Sequence, residues 1–257
     1  MRQQPTTKSI DEGQITLTVI GSGDAFGSGG RLNTCFHVKT VKMQFLIDCG
    51  ATTLSGLKRN NIELEDIDTI LITHFHGDHY GGLPYFLLEC AVYGRSKPLT
   101  ILSPRGCKER LKTLLDLLYP SSTVLEKLTI DFKEYQSNEV VIIEPLTVLS
   151  FPVIHTDAAI PHGLRISIGN KVISYSGDTE WTSNLVDLAK DADLFICECN
   201  FYKTKAKGHL DYQTLMSKIP LFTFERILLT HFDKEMLNNL RNITLDYAED
   251  GKVIIIE

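Results

Sequence analysis

His74-Phe75-His76-Gly77-Asp78-His79 closes the apolar run Ile67-Asp68-Thr69-Ile70-Leu71-Ile72-Thr73. Three imidazoles and a carboxylate within six residues suit a divalent cation such as zinc, manganese or iron. His74 and His76 stand two apart at the end of a predicted strand, so they project to one side and could clamp one metal. Gly77 permits a sharp turn that aims Asp78 and His79 at a second. At the chain's own His and Asp frequencies this arrangement arises by chance about 5 times in 10,000, so a merely His-rich surface turn is the weaker reading.

The run before the motif has an echo. Ile70-Leu71-Ile72-Thr73-His74-Phe75 recurs as Ile227-Leu228-Leu229-Thr230-His231-Phe232. Both are buried-strand patterns whose C-terminal end delivers a His. The alternatives are coincidence between two apolar strands, or a duplicated βα half whose copies converge on one site.

Around these anchors, period-two and apolar runs predict strands at Ile15–Ile20, Thr34–Lys39, Met43–Asp48, Ile67–Thr73, Leu99–Ser103, Leu128–Phe132, Val140–Ile143, Leu146–Val153, Leu164–Ile168, Val172–Ser176, Leu194–Glu198, Arg226–Thr230 and Val253–Ile256. Helices are expected at Thr52–Arg59, His79–Tyr93, Cys107–Tyr119 before Pro120, Ser183–Lys190, Tyr212–Lys218, and from Lys234. No Pro/Ser-rich linker divides the chain, so one domain over 1–257 is expected, with a polar lead over Met1–Gly13.

Of the 257 residues, 43% are hydrophobic and 23% charged, an ordinary globular composition. No window reaches 18 consecutive apolar residues, which excludes a membrane-spanning helix. The lead lacks the apolar stretch of a signal peptide, and the expected location is cytoplasmic. Cys35, Cys49, Cys90, Cys107, Cys197 and Cys199 lie mostly in apolar segments without C-x-x-C spacing, so they read as buried free thiols. The net charge is −6, from 26 Lys+Arg against 32 Asp+Glu, which excludes nucleic-acid binding by blanket electrostatics and leaves only a local patch.

The His74–His79 segment resembles the H-x-H-x-D-H signature of the metallo-β-lactamase superfamily. That resemblance implies an αββα sandwich of two mixed sheets with helices outside (an α/β, or α+β, fold). It also asks for three further ligands, matched by His155 after Leu149–Ile154, Asp178 in Tyr175-Ser176-Gly177-Asp178-Thr179, and His231 in the echo. It implies two divalent cations, zinc foremost, with manganese or iron accepting the same ligands. His74, His76 and His155 would hold one and Asp78, His79 and His231 the other, with Asp178 bridging. A metal-bridging hydroxide would be the nucleophile; no G-x-S-x-G elbow is present.

Phe195-Ile196-Cys197-Glu198-Cys199-Asn200-Phe201 followed by Gly208-His209-Leu210 resembles the tRNase Z-like phosphodiesterase branch of that superfamily. There the His assists the leaving oxygen and the Glu orients it, roles that fall to His209 and Glu198. Only the Glu of the branch's four-residue motif is kept here. A buried strand-end carboxylate and an exposed loop His are the plain alternatives. Gly21-Ser22-Gly23-Asp24-Ala25 and Arg31-Leu32-Asn33-Thr34 also resemble the branch. They form either a structural turn or a turn offering backbone N–H groups to an anionic substrate; with Phe26 where a third Gly would stand, they are no dinucleotide fingerprint.

Bacterial tRNase Z enzymes carry a basic tRNA-gripping arm between the ligands matched by His155 and Asp178. Only 22 residues separate the two here, and two predicted strands fill them. The expected substrate is therefore a phosphodiester or other small anion, with nucleic acid allowed but not gripped by an arm, and a homodimer is expected by the same resemblance. Two other functions stay open: a metal-dependent hydrolase of a lactone, thioester or β-lactam, and a non-hydrolytic accessory or binding protein that retains the site. A di-iron redox relative would be expected to carry a Glu where His76 stands. Asp48 resembles a partner that orients a metal-binding His, with a salt bridge as the alternative. His37 reads as structural, His162 as structural or substrate-touching, and Trp181 and Tyr202 as core or pocket aromatics.

Overall fold

A computed structural model of the protein describes residues 14–257; the polar lead over 1–13 lies outside the described residues. The strands are β1 (Ile15–Gly21), β2 (Cys35–Lys39), β3 (Gln44–Ile47), β4 (Thr69–Leu71), β5 (Leu99–Pro104), β6 (Ile130–Tyr135), β7 (Val140–Ile143), β8 (Leu146–Pro152), β9 (His162–Ile168), β10 (Lys171–Tyr175), β11 (Leu194–Glu198), β12 (Ile227–Thr230) and β13 (Val253–Ile256). The helices are α1 (Thr53–Arg59), α2 (Gly77–Tyr80), α3 (Leu83–Val92), α4 (Cys107–Leu118), α5 (Val124–Lys127), α6 (Asn184–Ala189), α7 (Tyr212–Lys218) and α8 (Lys234–Asn238).

The strands form two mixed sheets, one ordered β13-β1-β2-β3-β4-β5-β6 and the other β12-β11-β10-β9-β8-β7. Strand alternation explains the layers. In β3, Phe45 and Ile47 face the space between the sheets while Leu46 faces outward under helices. In β11, Leu194 and Ile196 point inward and Phe195 and Cys197 outward. Strands so placed are buried on both faces, which is why they read as continuous apolar runs. The outer face of the first sheet packs against α1, α3 and α4 through Leu57, Leu83, Phe86, Leu87, Leu111 and Leu115. The outer face of the second packs against α6, α7 and α8 through Leu185, Leu188, Leu215 and Met236. This is the αββα sandwich. All six cysteines are buried and free, and Cys197 and Cys199 share the same outer cluster.

The expected helix His79–Tyr93 is instead two helices, α2 and α3, broken at Gly81-Gly82. The break exists because the chain packs against the turn after β3: a Cβ on Gly82 would lie 2.0 Å from the Gly50 carbonyl oxygen. The predicted strand Leu128–Phe132 begins later, at Ile130, where it pairs with Leu99. The preceding turn forms α5, which buries Val124 in the outer core. The predicted strand Ile67–Thr73 shrinks to Thr69–Leu71, since the residues beyond it leave the ladder to build the site.

The echo converges without topological equivalence. In each sheet an antiparallel hairpin (β2-β3, β9-β10) leads into parallel strands. β4 is the first strand beyond its hairpin, whereas β12 is the second. The two histidines still reach one place, because both strands end at the same edge of the sandwich.

Candidate metal centre

Beyond β4 the chain is held by Tyr135, whose hydroxyl donates to the Ile72 carbonyl at 2.6 Å and the Thr73 carbonyl at 3.3 Å. The His74–His79 segment then turns into α2 and meets three other strand ends: Asp178 after β10, Glu198 closing β11, and His231 after β12. His155 enters from the loop after β8. His231 adopts a left-handed backbone (φ 65°), a strained conformation for a non-glycine residue that its N–H, donating to the Ser22 carbonyl at 3.1 Å, helps to hold.

Three groups of potential ligand atoms result among the described residues: His74, His76, His155 and Asp178; Asp78, His79, Asp178 and His231; and Glu198, His209 and His231. Asp178 belongs to the first two. Its Oδ2 lies 3.3 Å from His79 Nε2, 3.4 Å from His231 Nε2, 3.8 Å from His74 Nε2 and 4.0 Å from His155 Nε2. Asp78 Oδ2 adds contacts of 3.2 Å to His79 and 3.3 Å to His231. With metal–nitrogen bonds of about 2.0–2.1 Å, two ligand atoms on one tetrahedral zinc stand about 3.3 Å apart. The separations around Asp78, His79, Asp178 and His231 are of that size.

The donor atoms are aimed inward. His79 Nδ1 donates to Asp48 at 2.7 Å and His155 Nδ1 to the Gly208 carbonyl at 2.6 Å, while His74 Nδ1 meets the Thr73 hydroxyl at 3.0 Å and His231 Nδ1 the Asn200 amide at 2.8 Å. Each leaves Nε2 facing the common space, the arrangement that orients a metal-binding imidazole. Buried His74 Nε2, His79 Nε2 and Asp178 Oδ1 have no hydrogen-bond partner among the described residues. Unpartnered buried donors and acceptors are costly, and three converging on one point fit a cation. Electrostatics agree. Burial alone would raise Asp78 and Asp178, yet the neighbouring imidazoles of His79 and His231 hold both carboxyls below the usual range. Burial would lower His79, but the surrounding carboxylates push it above the usual imidazole range. The cavity thus favours positive charge, which a divalent cation supplies in concentrated form.

Glu198, fully buried, is a hub. Its Oε1 accepts from Thr179 N–H at 2.8 Å and from His209 Nδ1 at 2.9 Å; its Oε2 accepts from Asn200 N–H at 3.2 Å. Burial lowers the His209 pKa, but the Glu198 carboxylate outweighs it and holds the imidazolium up to about 9. His209 keeps 22% of its side chain exposed, on the wall of a cavity of about 770 Å³ that also contains His76, Asp78, His155, Asp178 and His231. A Cβ on Gly208 (φ 83°) would sit 2.6 Å from His155 Nδ1, so only glycine lets the His209 loop lie against that imidazole. Glu180, which accepts from Gly208 N–H at 2.8 Å, fixes the same loop and had no visible motif in the sequence.

Asp48 touches His79 and is further fixed by Thr73 N–H at 2.8 Å. His162 is buried between the Ser137 hydroxyl and the Ile160 carbonyl and lies outside the cavity; His37 pairs with Gln44 on β2 and β3. Trp181 packs on Phe222 and Tyr202 on Tyr212, so neither lines the cavity. Among the lining residues that sequence reasoning missed are Phe26, Lys207, Asp233 and Lys234, which lie in loops or at a helix start without a motif.

The sequence model of the family described as "Anti-Pycsar protein Apyc1" matches residues 15–254. The chain belongs to the Apyc1 family. A Ribonuclease Z of Clostridium acetobutylicum is 30% identical over 303 aligned positions, covering 94% of this chain and 98% of that protein. The Anti-Pycsar protein Apyc1 of Bacillus phage BSP38 is 27% identical over 235 positions, covering 86% and 90%. Among solved structures, the short form of human tRNase Z superposes with a TM-score of 0.76 at 24% identity, over 94% of this chain and 99% of that one. The metallo-β-lactamase fold protein YhfI of Bacillus subtilis gives 0.78 at 21% identity, over 93% and 99%. This Apyc1-family chain is thus a metal-dependent hydrolase of the tRNase Z-like branch of the metallo-β-lactamase superfamily. No helix among the described residues is long and apolar enough to cross a membrane.

Proposed function

We propose that the protein is a dinuclear metallophosphodiesterase acting on small phosphodiesters. The observation that carries this reading is Asp178, whose Oδ2 is common to two ligand groups. His74, His76 and His155 would hold one cation and Asp78, His79 and His231 the other, zinc suiting the His-rich set. Two such cations, when bound, lower the pKa of a water and neutralise charge on the phosphoryl oxygens.

The chain's own residues supply the rest. Glu198 fixes His209 with Nδ1 toward itself, leaving Nε2 to face the cavity and hand a proton to the departing ester oxygen. A phosphodiester with a poor leaving group needs that proton. Lys207 and Lys234 line the cavity and form no ion pair among the described residues, so two positive side chains stand ready for an anion in an otherwise acidic protein. The 22 residues between His155 and Asp178 are taken up by a short turn, β9 and β10, which lie inside the second sheet. The Clostridium Ribonuclease Z alignment runs over 303 positions against 257 residues here, so that relative carries insertions this chain lacks. Both features favour a small substrate over a folded RNA.

The test is hydrolysis of bis(p-nitrophenyl) phosphate by zinc- or manganese-loaded protein, with Asp78→Ala alongside. Turnover by the wild type that disappears in the variant, with loss of bound cation, is expected. An active Asp78→Ala protein, or a fully loaded wild type inert on every phosphodiester, overturns the reading. Active protein is then assayed on RNA 3′ ends and cyclic phosphodiesters.

A further inference from the structure

Glycine at position 208 solves one problem and creates another. Its bare Cα lets the loop lie on the His155 imidazole, but glycine is also the least restrained backbone, and here it directly precedes His209. Upstream, Lys203, Thr204 and Lys205 run exposed over the surface. Groups outside the loop must therefore set where His209 stands.

Two carboxylates do so, one on each side. Glu198 holds the His209 ring at Nδ1 (2.9 Å) and reaches the N–H of the next residue, Leu210, at 3.4 Å. The residue before His209 belongs to Glu180, whose Oε1 accepts from Gly208 N–H at 2.8 Å. Glu180 is fixed in turn. Its N–H donates to the Ile154 carbonyl at 2.8 Å, and Ile154 N–H donates to the Thr179 hydroxyl at 3.0 Å. The Gly208 carbonyl closes the ring by accepting from His155 Nδ1 at 2.6 Å. Ile154, His155, Gly208 and Glu180 thus form one closed circuit, and the His155 and His209 rings leave it 4.9 Å apart, edge to face.

Placement of this kind matters to a proton donor, which must come within hydrogen-bond reach of the oxygen it serves. A shift of about 1 Å in a reacting group can cost about 100-fold in rate. We propose that Glu180 is a positioning residue for proton transfer: by holding Gly208 N–H it fixes His209 relative to His155. This rests on the phosphodiesterase reading above, with His209 as the proton donor. The amide oxygen of a glutamine can accept the same N–H, whereas alanine offers no acceptor.

The experiment reads how far hydrolysis depends on the donated proton. Bis(p-nitrophenyl) phosphate expels a weakly basic phenolate that leaves without one. Diphenyl phosphate expels phenolate, with the basicity of a tyrosine side chain (pKa about 10), and gains from one. Zinc-loaded wild type, Glu180→Ala and Glu180→Gln are compared on both esters, with hydrogen exchange at the Gly208 amide followed by NMR. Glu180→Ala is expected to lower kcat on diphenyl phosphate by about 10- to 100-fold, about tenfold more than on bis(p-nitrophenyl) phosphate, with zinc content unchanged. Its Gly208 amide is expected to exchange at least about tenfold faster. Glu180→Gln is expected to bring rates and exchange back to within about threefold of the wild type. Added to His209→Ala, Glu180→Ala is expected to change the rate by less than about twofold, because the group it places is gone.

Equal losses on the two esters, or loss of zinc, overturn the proposal by making Glu180 a support of the fold or of the cation site. So does a Glu180→Gln protein as slow as Glu180→Ala, which would assign the effect to charge. A full Glu180→Ala loss in the His209→Ala background, or unchanged Gly208 exchange, overturns it as well. A wild type inert on both esters strikes the phosphodiesterase reading instead and leaves Gly208 exchange to judge the link to Glu180.

Discussion

At the residue scale the decisive contrast is between side chains that share a charge and side chains that aim one another. Asp178 sits among four imidazole nitrogens, the position from which it would serve both proposed cations. Glu198 falls in a cluster with His209 and His231, but its oxygens are taken up by Thr179, Asn200 and His209, which supports the proposed role of orienting His209. The proposed roles therefore separate by experiment. His209→Ala is expected to slow phosphodiester hydrolysis by about 10²–10⁴-fold with cation content unchanged. Glu198→Gln is expected to slow it too, because an amide cannot stabilise the His209 imidazolium. Metal analysis alongside steady-state rates checks both; loss of cation from His209→Ala would make that residue a ligand instead.

At the element scale, β2 carries a titratable group far from the cavity. His37 is buried and donates from Nε2 to the Gln44 amide at 2.9 Å; burial pulls its pKa down to about 4, the hydrogen bond opposing only in part. The unfolded chain, with an ordinary imidazole near 6.5, therefore binds more protons than the folded one between those two values. Stability from this residue is complete above pH 6.5 and is lost as pH falls toward 4. Between pH 7.5 and 5 the wild type should lose about 2 kcal/mol more than His37→Gln. Urea unfolding of both proteins at the two pH values measures the difference, and parallel losses would show that His37 takes up its proton alike in the folded and unfolded states. The break between α2 and α3 belongs to the same scale. The helical pattern runs through Gly81-Gly82, and the pair is the only local trace of the break; its cause is the Gly50 carbonyl, from a turn thirty-odd positions earlier in the chain, against which a Cβ at Gly82 would clash.

At the scale of the whole molecule, the two sheets hold the ligand residues at one edge of the sandwich, so cation binding and folding are linked. A cation at 100 times its dissociation constant adds about 2.7 kcal/mol to stability. For a domain of this size, each kcal/mol moves Tm by about 2–4 °C. Dialysis against a chelator is expected to lower Tm by at least about 5 °C, and zinc is expected to restore it; calorimetry with metal analysis decides. An unchanged Tm in protein freed of metal would mean that the clustered carboxylates and imidazoles do not hold a cation in the folded state.

The strands, the helices and their order along the chain were legible in the residues, because a strand buried on both faces must be apolar throughout and a helix over a sheet must carry one apolar face; their stacking as an αββα sandwich came from the resemblance. The spacing His74, His76, Asp78, His79 was equally plain, since ligands close in sequence have little freedom to part. His155, Asp178 and His231 needed the resemblance, for nothing local distinguishes a strand-end His that faces a cavity from one that does not. The echo misleads in this respect: the sequence match between β4 and β12 hides two different places in their sheets. Only the tertiary structure put Asp178 at the centre of four imidazoles, tied Glu198 to His209, and left Phe26 bare on the cavity wall beside Lys207 and Lys234. The reason is physical. Periodicity records which face of an element avoids water, whereas a site assembled from several strand ends and loops depends on distances between residues that the chain itself does not bring together.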